Sequence, residues 1–493
     1  MQLLPEAILV VTALVLLGVA VATEAKQGRP VTARTTIPIA ATGILLALVS
    51  LVFMETHGGS GTPLILIDGL ASIFKCVVLC LGLLAVLLPP ARREMANVGE
   101  FHALMLFGLT GLLLAVGTNH LLLLFVALEL AGLSFYLLAG FPRTAKASEA
   151  SLKYFLFGGV SAAFLLFGMS LLYGFSQSAM LTVIAAKVGA DPGSGLAMAG
   201  LLMVLVGLGF KLAAAPFHYW APDVYQGAPA TTVALVAAAS KVVGVVVLVR
   251  FLTVGFHTAA GSAAWGNMTA GWSLWIAVLA AVSMIFGNLL ALAQKSVRRL
   301  LAYSAVANTG YLLVALTANT GPSTAAALFY VVVYGLATFG ALAITAAVER
   351  HRGNDSRESF AGLIHRSPLQ AVTLLIFLTS LAGVPPLAGF VGKFALFSTA
   401  LTGSAAGETP GLVWLVALAA VMSAVSLYYY LILLKQAFMA EAPDENDNTP
   451  APLTPAHLLA VSLPALALII LGVFPSLLMT PIADAVSVSL GLR

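Results

Sequence analysis

An all-α, polytopic membrane fold is what this sequence predicts, and three observations predict it. Hydrophobic residues fill 60% of the 493 positions and charged residues only 9%, whereas a soluble globular domain carries roughly 25% charged residues. Apolar stretches of about 18 to 25 residues recur along the whole chain, the length that crosses a bilayer as a helix. These stretches lack the alternation of a transmembrane barrel, and in hydrocarbon an unpaired backbone must be satisfied within its own helix.

In order, the stretches fall near 3–22, 36–53, 65–89, 102–117, 119–140, 151–175, 195–220, 229–255, 272–294, 299–317, 323–348, 368–402, 411–438 and 455–480, about fourteen spans by this length criterion. No basic segment precedes the first span and no small-residue cleavage site closes it, so it reads as retained rather than as a cleaved signal. In span three Cys76 and Cys80 lie one helical turn apart with no histidine beside them. That spacing predicts packing residues and no metal site. The loops after odd-numbered spans hold fifteen lysines and arginines, from Lys26 to Lys435 and including Arg29, Arg92 and Arg93. The other loops and the C-terminus hold Lys187, Arg250 and Arg493. This asymmetry predicts both termini on the outer side. Basic residues spread over many short loops need no nucleic acid to explain them.

The longest polar connections, 349–367 and 440–454, leave no soluble domain, and the second is acidic and Pro/Asn-rich, the composition of a solvated loop. Chemistry must therefore sit within the membrane. Span seven runs into Lys211-Leu-Ala-Ala-Ala-Pro216-Phe-His218, and span twelve into Gly383-Val-Pro385-Pro386-Leu-Ala-Gly389. Proline removes a helix hydrogen bond and clashes one turn back, so each span is expected to break there. Five spans separate the breaks, which pairs spans 4–8 with spans 9–13 as two inverted five-helix repeats, the plan of many ion transporters. The expected segments are a three-helix N-terminal part at 1–100, a first repeat at 101–258, a second at 270–440 and a final helix within 455–493.

Few ionisable residues remain deep in spans: Glu129, Lys211, Lys241 and Lys393, with Lys153 near the start of span six and Lys75 in span three. A charge at a helix centre costs about 2.5–3.5 kcal/mol, so these residues require a reason. Snorkelling accounts for Lys75 and fits Lys153, but it fits Glu129 and Lys241 badly. One central carboxylate cannot neutralise three deep lysines, and a surplus of this kind suits a proton path. A lysine with a free pKa of about 10.4 exchanges protons near neutrality only if its surroundings disfavour its charge by about 4 kcal/mol. A carboxylate about 4 Å away opposes that by a similar amount at an effective dielectric near 20. Approach of Glu129 to Lys211 would thus act as a switch. His218 is open to two readings, a relay group or a cap on broken backbone, and Asp223 reads as a loop or cap residue.

Glu129 to Gly140, Ser148-Glu-Ala-Ser-Leu-Lys153-Tyr-Phe, Lys211 to Pro229, Ser240-Lys241, Gln294 to Ser304 and Leu381 to Lys393 together resemble the N-type antiporter-like subunit of proton-pumping NADH:quinone oxidoreductase, respiratory complex I. The resemblance spans nearly the whole chain and is most specific at 216–229. It implies a non-redox subunit of a translocase in a prokaryotic cytoplasmic membrane, with no cofactor or metal of its own. NAD, FMN, iron–sulfur clusters and quinone belong to partner subunits. It also implies membrane neighbours, an M-type subunit and small K/J/A-type subunits, and a relay through Glu129, Lys211, Lys241, Lys153 and Lys393. One departure stands out. The family often has a histidine in span ten, where this chain has Asn308; asparagine does not titrate, so a relay there would use water, Tyr303, Ser304 or a neighbour. The chain also lacks the long lateral helix of an L-type subunit. Other readings are a multisubunit sodium/proton antiporter, against one branch of which Lys393 speaks, a hydrogenase or F420H2 dehydrogenase membrane subunit, and a stand-alone solute carrier.

Overall fold

Runs of about twenty apolar residues satisfy their own backbone only as helices, and in a computed structural model of the chain helix dominates the described residues, 2–28, 30–53, 64–88, 97–402, 411–441 and 454–491, with no strand among them. Arg29, Arg92, Arg93, Arg493 and nearly all of the acidic connection 440–454 lie outside the described residues.

The first compact unit comprises residues 1–211, 227–259 and 485–492. It opens with α1 (Leu4–Gln27), α2 (Ala33–Val52) and α3 (Gly69–Leu87). Gly28 closes α1 in the left-handed conformation at φ 62°, where glycine has no Cβ to clash. Asp68 caps α3 by accepting from the Ala71 backbone N–H at 2.7 Å. The chain continues through α4 (Val98–Val116), α5 (Leu121–Ala139), α6 (Ala145–Ser176), a short α7 (Leu181–Ala190) and α8 (Gly195–Leu212). The eighth predicted span is not one regular helix. It runs as α10 (Ala230–Leu235), a π-helical turn Val236–Ser240, α11 (Lys241–Arg250) and a second π turn Phe251–Gly255, with α9 (Trp220–Gly227) preceding it.

The second unit comprises residues 212–226 and 260–484. It contains nearly all of α9, then α12 (Trp272–Leu292), α13 (Val297–Leu316), α14 (Gly321–Arg352), a short α15 (Leu363–Arg366), α16 (Pro368–Ala382), α17 (Ala388–Thr402), α18 (Val413–Met439) and α19 (Pro455–Val473). A capping box of Thr320 and Ser323 starts α14, and Gly353 ends it at φ 79°. Span twelve is the pair α16 and α17. Gly383 ends α16 at φ 86°, and the chain turns so tightly that a Cβ on Gly389 would lie 1.7 Å from the Ser380 carbonyl oxygen. The last predicted span stops at Val473, because Pro475 comes next but one, and a separate α20 (Ser476–Leu490) takes up the chain.

Thirteen helices among the described residues are long and apolar enough to cross a membrane, and the broken pair α16/α17 supplies the remaining predicted span. The protein is an integral membrane protein. Chain order gives two five-helix repeats: α4, α5, α6, a broken α8/α9 and the 230–255 helix, then α12, α13, α14, a broken α16/α17 and α18. The third member of each is 32 residues long.

Candidate functional site

In the first unit Glu129 stands on α5 and Lys211 in the last turn of α8. Helix α8 ends one residue later, at Leu212, because Ala213 takes φ 54°, a left-handed conformation that costs a residue with a Cβ about 1–2 kcal/mol. Pro216 then prevents the helix from resuming. Lys211 Nζ lies 3.6 Å from Glu129 Oε1 and donates to the Leu128 carbonyl at 3.4 Å. Its ammonium is 5.9 Å from the ring centroids of both Tyr136 and Phe210. Space for it comes from Gly132, where a Cβ would sit 2.9 Å from Nζ. The ion pair is longer than a charge-assisted hydrogen bond of about 2.7–2.9 Å, so the two charges face each other without being locked together.

Lys241 is buried and is the first residue after the π turn Val236–Ser240. A π turn inserts a residue and rotates the helix beyond it, and such turns concentrate at functional positions. Lys153 differs: its side chain is 37% exposed and it pairs with Glu149 at 2.7 Å, one turn back on α6.

In the second unit Lys393 is buried on α17. Its Nζ donates to the Ala382 carbonyl and to the Ser423 hydroxyl, each at 3.0 Å, and lies 4.8 Å from the centroid of the Tyr311 ring. Asn308 is buried within hydrogen bonds: its amide donates to the Ser304 carbonyl at 2.8 Å, and its oxygen accepts from the Tyr330 hydroxyl at 2.6 Å. Ser304 hydrogen-bonds the Tyr430 hydroxyl. His218 is buried and stacks on Tyr219 at 4.8 Å, with the Tyr303 ring 6.2 Å away. Asp223 lies in the first turn of α9 and accepts from Arg299 at 2.6 Å. Pro216 and Pro386 each follow a cis peptide bond, Pro385 being the residue before the second.

Three sequence expectations need correction. Lys75 does not snorkel: it is 2% exposed and forms a 2.7 Å ion pair with Glu6 on α1. The solitary carboxylate at the start of an apolar first span was the available signal. Arg250 is not a loop residue. It ends α11, 2% exposed, and its guanidinium donates to both Asp68 oxygens at 2.9 and 2.7 Å. Cys76 and Cys80 are free and exposed on α3 rather than packed inside.

A family profile described as NADH:quinone oxidoreductase/Mrp antiporter, TM matches residues 118–433, a stretch that holds Glu129, Lys211, Lys241 and Lys393. The chain belongs to this family. Within the NADH:quinone oxidoreductase/Mrp antiporter family its likeness is to N-type subunits. The NADH-quinone oxidoreductase subunit N 2 of Acidobacterium capsulatum is 48% identical over 384 residues, 78% of this chain and 76% of that protein. The F(420)H(2) dehydrogenase subunit N of Methanosarcina mazei is 35% identical over 492 residues, 96% of each chain. A chain of respiratory complex I from Thermus thermophilus, solved with bound aureothin, superposes with a TM-score of 0.78 at 34% identity, covering 97% of this chain and 99% of that one.

Proposed function

We propose that this chain is the N-type, proton-translocating membrane subunit of an NADH:quinone oxidoreductase, coupling quinone reduction elsewhere in the complex to proton transfer through Glu129, Lys211, Lys241 and Lys393. The observation that carries this reading is the Glu129–Lys211 pair, 3.6 Å apart beside the break in α8. Ionisable groups held within membrane helices, at helix discontinuities, mark ion pathways. Lys153 joins the relay as its more exposed member. His218, Tyr303, Ser304 and Asn308 connect it in the second unit, Asn308 by holding hydroxyls in place rather than by titrating. The repeats at 101–258 and 270–440 are the working units of this scheme, flanked by the 1–100 segment and the C-terminal helix within 455–493.

In this reading the chain is a non-redox subunit. NAD, FMN, iron–sulfur clusters and quinone bind partner subunits, and its membrane neighbours are an M-type subunit and small K/J/A-type subunits. It resides in a prokaryotic cytoplasmic membrane with both termini outside, in keeping with the lysine and arginine bias of its loops.

A second reading keeps the proton path and changes the electron donor. It is favoured by the likeness to the F(420)H(2) dehydrogenase subunit, which extends over 96% of both chains. Purifying the native complex through a tag on this chain, and assaying it with NADH and with reduced F420, separates the two. Co-purifying NADH-oxidising subunits with NADH:quinone activity support the first reading. Activity with reduced F420 alone transfers the subunit to the second, and isolation of the chain without redox partners overturns both.

A further inference from the structure

The deep lysines at 211 and 393, the first partly buried and the second buried, are compensated in different ways. Lys211 faces a carboxylate at 3.6 Å, with the nearest aromatic ring centroids at 5.9 Å. Lys393 has no carboxylate within ion-pair distance among the described residues. It has the Tyr311 ring instead, with the centroid at 4.8 Å, closer than either ring near Lys211. An ammonium carries three donors. Two of those on Lys393 reach oxygen, at Ala382 and Ser423, and the ring face offers the third its negative quadrupole.

The ring is held from its far end. Asn288 on α12, fully buried, donates its amide to the Tyr311 hydroxyl at 3.0 Å and to the Met284 carbonyl at 2.8 Å. Its oxygen accepts from the Tyr429 hydroxyl at 3.1 Å. Phe397 meets the Tyr311 ring edge-on at 6.2 Å. A buried amide among membrane helices is costly unless its hydrogen bonds are made, and here those bonds fix one aromatic ring against rotation. Packing alone does not need that, because a phenylalanine would fill the space without a polar anchor.

We propose that Tyr311 is a positioning residue for proton transfer at Lys393, its ring face, pinned through Asn288, standing where Lys211 has the carboxylate of Glu129. The inference rests on the reading of Lys393 as a relay member. A ring attracts the ammonium and not the neutral amine, yet it carries no net charge to form a fixed ion pair. It therefore supports the protonated lysine without trapping it.

The test uses the assembled complex in inverted membrane vesicles, with proton translocation followed during quinone reduction. Position 311 is changed to phenylalanine, then to mono-, di- and trifluorophenylalanine, which drain the ring quadrupole at nearly constant volume. Tyr311→Phe removes the hydroxyl that Asn288 holds and lowers the translocation rate several-fold, and the fluorinated series lowers it further, stepwise, by roughly tenfold relative to Tyr311→Phe. An unchanged rate across the series overturns the proposal. Lys393→Met separates this failure from that of the relay. Loss of translocation in Lys393→Met together with a flat fluorine series sinks the role of Tyr311 alone, whereas normal translocation in Lys393→Met sinks the relay at Lys393 and this inference with it.

Discussion

Lys211 and Glu129 meet at 3.6 Å across helices α8 and α5, although 81 residues lie between them in the chain. Removing either charge leaves the other inside a low-polarity environment. Glu129→Ala and Lys211→Ala are therefore expected to lower pumping-coupled quinone reduction about tenfold or more, a barrier change of roughly 1.4 kcal/mol. In the proposed reading that step does not pass through this chain, so electron transfer from NADH to an artificial acceptor is expected to stay nearly intact. Normal pumping by both variants in an assembled complex would refute the charge relay.

Gly132 tests the same pair without removing a charge. A methyl group there meets the Lys211 ammonium at 2.9 Å and the Tyr136 hydroxyl at 3.1 Å. Both are side-chain ends that can swing aside, so Gly132→Ala leaves assembly intact and displaces Nζ from Glu129. A misplacement near 1 Å costs up to about a hundredfold where geometry governs the step. Proton translocation in vesicles, measured beside complex yield on native gels, decides it: a yield loss with unchanged specific pumping would assign Gly132 to packing only.

The Lys75–Glu6 pair joins α3 to α1 at 2.7 Å, with both side chains almost fully buried. Breaking such a pair by changing one partner costs about 3–5 kcal/mol, while replacing both with apolar residues of similar size is near neutral. Lys75→Met alone should lower the thermal midpoint of the purified complex, and Lys75→Met with Glu6→Met should restore most of it. If the double variant is stable but no longer pumps, the pair belongs to the proton path rather than to the packing of α1.

Asp68 carries a pH signature. Burial pushes its carboxyl pKa up, but the Arg250 guanidinium and the Ala71 N–H outweigh that and hold it below the ordinary value of 3.8. A carboxylate with a depressed folded pKa adds stability that is fully present above its unfolded pKa, about 3.9, and is lost as pH falls through the lower folded value. Between pH 5 and pH 8, roughly, this pair makes no contribution to any slope of stability against pH. Asp68→Asn should lower the thermal midpoint across that whole range and flatten the acid-side loss below about pH 4. A midpoint difference that vanishes at pH 7 would contradict the ion pair.

The sequence by itself determined the number and order of the membrane spans, the two breaks at Pro216 and at Pro385-Pro386, and the deep lysines at 211, 241 and 393, but not the burial of Lys75. Each of these comes from local composition acting against a fixed environment. Hydrocarbon demands helices of a set length, proline removes a helix hydrogen bond and breaks the span at 216 and 385–386, though not at Pro38 or Pro464, and a charge within them is rare enough to notice. Asn308 was likewise legible as a residue that cannot titrate.

Tertiary structure alone decided which groups meet. That Lys75 answers Glu6 and Arg250 answers Asp68 depends on packing between helices tens to hundreds of residues apart, and composition does not encode a distance. The π turn before Lys241 leaves no mark on an apolar run, because valine and alanine suit either helix. The ring of Tyr311 beneath Lys393 and the gap at Gly132 beside Lys211 arise from side chains converging from separate helices. Only when those helices are packed is it settled whether a buried lysine finds a carboxylate, an aromatic face or empty space.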